Sequence, residues 1–187
     1  MKTNSISKAL VLLALFVCTI GLQKVGAQDV ALRTSATGWL TATPNIEVSV
    51  PVSQKVSLHL PVAYNPWVFG ENSRFQHLST MPGARYWFHE CYSHFFLSAY
   101  GVATRFHVGG FFNKDYRYDG NAYGIGIGGG YAYVLNKHFN IEAELGIGAV
   151  YADYDKCWWP EDSRLIASEK GLRFIPTKID ISIVYLF

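Results

Sequence analysis

Beyond Leu22 the chain has no apolar run approaching the roughly 20 residues that a membrane helix needs, which excludes a helical span in the body of the sequence. It also lacks an excess of charge of either sign. Only 16% of residues are charged and the formal net charge is +2, so nothing points to a nucleic-acid partner. Cysteine is scarce, with three in 187 residues. What the chain has instead is 50% hydrophobic and 16% aromatic residues, spread through short segments rather than gathered in long ones.

The first residues predict export. Lys2 and Lys8 precede an apolar run from Ala9 to Leu22, and Val25-Gly26-Ala27 offers a small-residue cleavage site before Gln28. That is the layout of a cleaved signal peptide over residues 1–27, leaving 28–187 as one domain of about 160 residues. A lipoprotein leader is disfavoured, because Phe16 and Val17 stand before Cys18 where small residues are needed. Lys2, Lys8 and Lys24 depart with the leader, so 13 basic residues face 14 acidic ones and the mature chain is close to neutral.

Polarity in the mature chain alternates with period two, the signature of strands. Ile179, Ile181, Ile183, Tyr185 and Phe187 share one face; Lys178, Asp180 and Ser182 share the other. Ile141, Ala143, Leu145, Ile147, Ala149 and Tyr151 alternate with Asn140, Glu142, Glu144, Gly146 and Gly148. The pattern predicts eight strands at 31–40, 46–52, 56–69, 79–89, 95–109, 122–135, 139–155 and 175–187. Short turns at 53–55, 90–94 and 136–138 alternate with longer polar loops at 70–78, 111–121 and 156–174. The expected fold is all-β: an eight-stranded antiparallel up-and-down transmembrane barrel in the outer membrane, with both termini periplasmic.

Glycines decide which face is outside. Gly124, Gly126, Gly128 and Gly130 share a face opposite large residues. Exposed on a soluble barrel or sandwich they would only weaken the strand; inside a narrow barrel they make room for side chains from neighbouring strands. The faces opposite the apolar ones carry Arg33, Glu47, Arg85, Arg105, Glu142, Glu144, Lys178 and Asp180, with His59 and His107. Four cations and four carboxylates predict an interior ion-pair network, because buried charges persist only when paired. Strand direction assigns Arg33, Arg85, Glu142 and Glu144 to the periplasmic half, and the other four to the outer half. Two aromatic girdles are expected: Tyr86, Phe88, Phe96, Tyr131, Tyr133, Tyr185 and Phe187 at the periplasmic ends, and Trp39, Tyr64, Trp67, Phe106, Tyr123 and Tyr151 at the outer ends. Eight strands enclose only enough space for side chains, so the lumen is expected to be plugged.

The segments Thr41-Ala42-Thr43-Pro44-Asn45, Tyr64-Asn65-Pro66-Trp67, Pro82-Gly83-Ala84-Arg85-Tyr86-Trp87, Tyr151-Ala152-Asp153-Tyr154-Asp155-Lys156 and Pro176-Thr177-Lys178 resemble a family known only as domain of unknown function 3575. Across essentially the whole mature chain, the resemblance implies an outer-membrane barrel, with genes often near those for fimbria-like surface fibres. It implies no catalytic residues. The terminal Tyr185-Leu186-Phe187 also resembles the signal read by barrel-assembly machinery.

Three motifs look chemical. Gly124, Gly126 and Gly129 match G-x-G-x-x-G, but a nucleotide site needs a helix after the loop and this segment continues as strand. His89-Glu90-Cys91-Tyr92-Ser93-His94 sets its second histidine one position too late for the zinc motif H-E-x-x-H. His77-Leu78-Ser79 resembles the H-x-S pair of lipid A deacylases, but no carboxylate is evident beside it, unless Asp153 or Asp155 approaches from another strand. The expectation is a non-enzymatic, monomeric barrel with no catalytic, cofactor or metal site, which anchors or displays surface loops. Its expected partners are outer-membrane lipid, the assembly machinery and surface-fibre components, with no nucleic acid. The alternatives are a lipid-acting outer-membrane enzyme and a narrow channel.

Overall fold

The computed structural model describes residues 30–69, 73–110, 116–158 and 165–187, so the expected leader at 1–27 lies outside the described residues. The alternating segments form β1 (Ala31–Ser35), β2 (Asn45–Ser53), β3 (Val56–Asn65), β4 (Val68–Phe69), β5 (Ser73–Thr80), β6 (Gly83–Trp87), β7 (His94–Gly109), β8 (Tyr116–Val134), β9 (Phe139–Trp158) and β10 (Leu165–Leu186). A five-residue helix, α1 (Ala36–Leu40), follows β1. β1 pairs with β2 and β10, β2 with β3, and β3 with both β5 and β6; these pair with β7, and β8 and β9 complete the ring. β5 and β6 are one wall strand interrupted at Met81-Pro82, where the Pro82 carbonyl accepts a bond from the Gly101 N–H at 2.9 Å. The result is a closed, eight-stranded antiparallel barrel.

Several boundaries differ from the periodicity. The strand expected at 31–40 stops at Ser35, whose hydroxyl caps α1 by accepting from the Gly38 N–H at 2.9 Å. Serine at an N-cap satisfies an orphan helix donor, and five residues of alternation fit a helical turn as well as a strand. The fourth wall strand starts at Ser73 rather than 79, the sixth at Tyr116 rather than 122, and the last at Leu165 rather than 175, while the seventh runs on to Trp158. Much of the expected loops 70–78, 111–121 and 156–174 is therefore strand. Polar residues such as Lys156, Glu169, Lys170 and Arg173 hid this by giving both faces of a protruding hairpin a loop-like composition.

The glycine face points inward, as expected. Gly126 lies against the Tyr100 ring, Gly130 against the Phe96 ring, and Gly146 against the Tyr100 hydroxyl, so an added Cβ at any of them would collide. These side chains reach from β7 across the inner surfaces of β8 and β9. Overpacking such a site typically costs about 1–3 kcal/mol. Gly126→Val is expected to lose that much in urea unfolding, while Ile125→Val on the outward face loses less. Adding Tyr100→Ala should recover part of the Gly126→Val loss. Additive effects of the two changes would show that ring and glycine do not share one space.

The turn end of the lumen is filled. Trp87, Tyr92, Phe96, Ala132, Val184, Leu186 and Ala31 form a buried apolar cluster. Trp87 and Phe96 pack at a 46° tilt with ring centroids 4.6 Å apart, and the Trp87 indole donates to Ser57 Oγ at 3.0 Å. Phe96 therefore belongs to this plug and not to the aromatic girdle expected at the periplasmic ends. β7 pairs without a register break along its length, so Phe106 also has inward parity, opposite the expected girdle position.

Cys91 and Cys157 are both free thiols. Cys91 sits in the β6–β7 turn next to Tyr92, whose carbonyl accepts from Asn140 at the start of β9 at 2.6 Å. Cys157 lies at the other end of β9, opposite Arg117. From Asn140 to Cys157 the strand covers roughly 55 Å at about 3.3 Å per residue, whereas a disulfide needs its Cα atoms within about 7 Å. Mass spectrometry after thiol blocking in denaturant, without reductant, should find two blocked cysteines. A monomer with an internal Cys91–Cys157 bridge would contradict this strand direction.

Candidate functional site

Halfway along the lumen, the inward residues of five wall strands meet in one cluster. Arg33 comes from β1, Glu47 from β2, Arg85 from β6, Glu142 and Glu144 from β9, and Lys178 and Asp180 from β10. The Arg85 guanidinium donates to both Glu47 carboxylate oxygens, at 2.5 and 3.2 Å, and to Glu144 at 3.1 Å. Arg33 reaches Glu142 at 3.1 Å, Glu144 at 3.2 Å, Glu47 at 3.6 Å and Asp180 at 3.0 Å. Lys178 Nζ lies 3.1 Å from Glu144, and Ser98 Oγ donates to the same carboxylate at 2.7 Å. Glu144 is the hub, with 1% of its surface exposed.

Seven of the eight expected charges are therefore brought together. Arg105 is the exception. It lies opposite Leu78 on β5, is exposed, and has the same outward parity as His107. His107 bonds Asp119 at 2.7 Å on the barrel's flank. On β7 polarity misreports the inward face, because Phe96 and Tyr100 are aromatic yet inward. Without Arg105 the cluster holds three cations and four carboxylates, so the expected exact cancellation fails by one charge. The separation into two halves also fails, since Glu47 bonds Arg85 and Asp180 bonds Arg33 across the supposed divide.

Lys178 reaches the cluster through a β-bulge. The β9–β10 register shifts between Pro176 and Lys178, where proline has no N–H to give the ladder. The bulge turns Thr177 inward as well, so that its hydroxyl meets Tyr100 Oη at 2.7 Å.

Toward the loop end, polar side chains bind α1 to the wall. Asp180 accepts from Ser35, from Thr37 at 2.8 Å, from Ser182 at 2.5 Å and from Arg33 at 3.0 Å. The Asn45 side chain accepts from the Ser35 N–H at 2.6 Å and donates to the Ser35 carbonyl at 3.2 Å, replacing ladder bonds that β1 has ceased to make. Asn65 donates to the Thr41 carbonyl and Thr43 hydroxyl, and the Trp67 indole donates to the Ala42 carbonyl at 2.7 Å. These bonds were not legible in the sequence; the Asn and Trp beside Pro44 and Pro66 are the only signal that could have suggested them.

Between this cap and the ion cluster lies a cavity of about 520 Å³, lined by residues of α1, β1, β2, β3, β5 and β10. His77 and Ser79 both face it. His77 Nδ1 is 3.3 Å from the Phe75 carbonyl, and its ring makes no bond to Ser79. Asp153 is engaged by Lys170 at 2.8 Å. No serine–histidine–carboxylate relay is assembled among the described residues. The glycine triplet 124, 126 and 129 lies within uninterrupted β8, with no helix after it. His89 and His94 flank a turn with their rings 4.9 Å apart, and no group of metal-ligating side chains occurs among the described residues.

The loop-end hairpin beyond this cavity carries exposed ion pairs, Lys170–Asp153 at 2.8 Å and Arg173–Glu169 at 3.3 Å, which contribute little stability in water.

No curated protein matches the chain. The segments that carry the family resemblance supply much of the polar hardware: Asn45, Asn65 and Trp67 in the cap, Arg85 and Lys178 in the cluster, and Asp153 in the hairpin. Over residues 10–187 the chain matches the family described as "Protein of unknown function (DUF3575)", and it belongs to that family.

Proposed function

We propose that this chain is an outer-membrane barrel with a non-enzymatic role, a rigid anchor that presents its long β7–β8 and β9–β10 hairpins at the cell surface. The observation that carries this reading is the inside-out distribution of polarity. Ile125, Leu145, Ile147 and Ile179 are 63–72% exposed on the outer wall, while Arg85 and Glu144 are at most 2% exposed within it. An apolar band of that extent is costly in water and favourable against lipid. In this reading residues 1–27 direct export, and the short turns and both termini face the periplasm. Tyr185 and Phe187, outward on β10, meet the assembly machinery. The family resemblance adds surface-fibre components as a partner class.

The filled turn end speaks against a conducting channel, and the unjoined His77 and Ser79 speak against hydrolysis. Cell fractionation tests the membrane assignment. The mature protein should sediment with the outer membrane and change its gel mobility on boiling; recovery as a soluble periplasmic monomer would refute it. Proximity cross-linking in intact cells tests display, with the hairpins expected to label surface components.

A further inference from the structure

β1 is too short to close the barrel wall over its full height. Its pairing with β2 ends at Arg33–Glu47, and its pairing with β10 ends at Ser35–Ser182. β10 continues from Ser182 back to Leu165, bonded to β9 on one edge only. Among the described residues, no strand joins β10 to β2 above Ser35. Helix α1 lies across this notch, against β10, without a backbone ladder to it.

The lining of the cavity spans that notch, with Ile46 on β2 and Ile179 on β10. Its lining includes Ile46, Val62 and Ile179, all large apolar residues exposed on the outer wall, as well as the inward Ser35, Thr37, Ser79 and Lys178. A pocket with a polar interior and an apolar lateral mouth suits a molecule with a polar head and an apolar chain. Its volume is within the range of small-molecule sites, about 300–1,000 Å³.

Charge narrows the class. The charged groups on the lining are Arg33, Lys178, Glu47 and Asp180, two of each sign, each already engaged with the others or with Glu144. An anionic or cationic head would bring a charge with no free counter-charge. Serines and threonines share the rest of the wall with apolar residues, and among the described residues the Ser79 hydroxyl and His77 Nε2 make no hydrogen bond.

We propose that the barrel binds a membrane amphiphile with an uncharged, hydroxylated head, which enters sideways between β10 and β2 so that the head occupies the cavity and the chain lies against Ile46, Val62 and Ile179. The proposal rests on the membrane reading above.

Octyl glucoside is a suitable probe. The mature protein in peptidiscs would be titrated below the micellar concentration and read by native mass spectrometry. One glucoside per barrel is expected to be retained, while octyl sulfate and free glucose are not. Ala63→Trp, which fills the cavity from β3 without touching the ion cluster, should weaken retention at least about tenfold, or about 1.4 kcal/mol. Leu145→Trp, on the far outer wall, should leave it unchanged. If Ala63→Trp does not fold, Ser79→Leu serves the same purpose by removing a donor and adding bulk. No retained glucoside, equal retention in the filled variant, or octyl sulfate held as tightly would each overturn the proposal. A wild-type protein that shifts on boiling but retains no glucoside fails this inference alone; one that does not shift fails the membrane reading beneath it.

Discussion

Arg85→Ala is expected to destabilise the barrel by about 3–5 kcal/mol, the range for removing one partner from a buried ion pair. The guanidinium spans Glu47 and Glu144, and no other group bridges those two carboxylates as closely. Its loss changes the cluster from three cations and four carboxylates to two and four, and leaves the buried Glu47 carboxylate with only the 3.6 Å contact to Arg33. Glu144→Ala should cost a similar amount, because three cations and Ser98 converge on that side chain. Ile147→Leu on the outer wall conserves volume and should cost under about 1.5 kcal/mol. Arg105→Ala should fall within about 0.5 kcal/mol of wild type, as exposed substitutions usually do. Urea unfolding in lipid vesicles, followed by tryptophan fluorescence, measures all four. If Arg85→Ala and Arg105→Ala lose equally, the assignment of Arg85 to the interior cluster and Arg105 to the outer wall is wrong.

The second large effect belongs to the apolar plug. Trp87→Ala is expected to cost about 3–5 kcal/mol, the usual range for truncating a large buried aromatic. Trp87 is 0% exposed, packs on Tyr92 and Phe96, and satisfies the buried Ser57 hydroxyl. Truncation leaves a hole whose walls are β-strands tied on both edges, so they cannot collapse to fill it. Trp87→Phe keeps most of the volume and should recover most of the loss, leaving the unpaired Ser57 hydroxyl as the remainder. Tyr86→Ala, one residue away but facing outward, should cost markedly less. The same urea titration decides it: losses for Tyr86→Ala matching those for Trp87→Ala would mean that this end of the lumen is not packed.

The arrangement raises a question of purpose. A buried ion cluster is weak evidence for stability, since apolar replacements of equal volume are often neutral or better. Its position offers another role. Four of its members, Arg33, Lys178, Glu47 and Asp180, line the cavity, and in the proposal above their mutual pairing sets the kind of head group the cavity tolerates.

Alternation along the chain determined much of this by itself. Strand period, glycine on one face, and charge opposite isoleucine place seven of the eight charges inside, because side chains on a strand point alternately to opposite faces. The same rule failed on β7, where the inward residues are Phe96 and Tyr100 and the outward ones include Arg105. Polarity there does not report the face, since a narrow lumen also needs aromatic filling. Only the tertiary structure decided where β1 stops, because Ser35 ends the strand through bonds to Gly38, Asn45 and Asp180, the last 145 positions away. It alone also merged the two expected charge clusters into one. Arg33 and Arg85 are long enough to cross the lumen, and which carboxylates they reach depends on the stagger between strands, a quantity that period two does not contain.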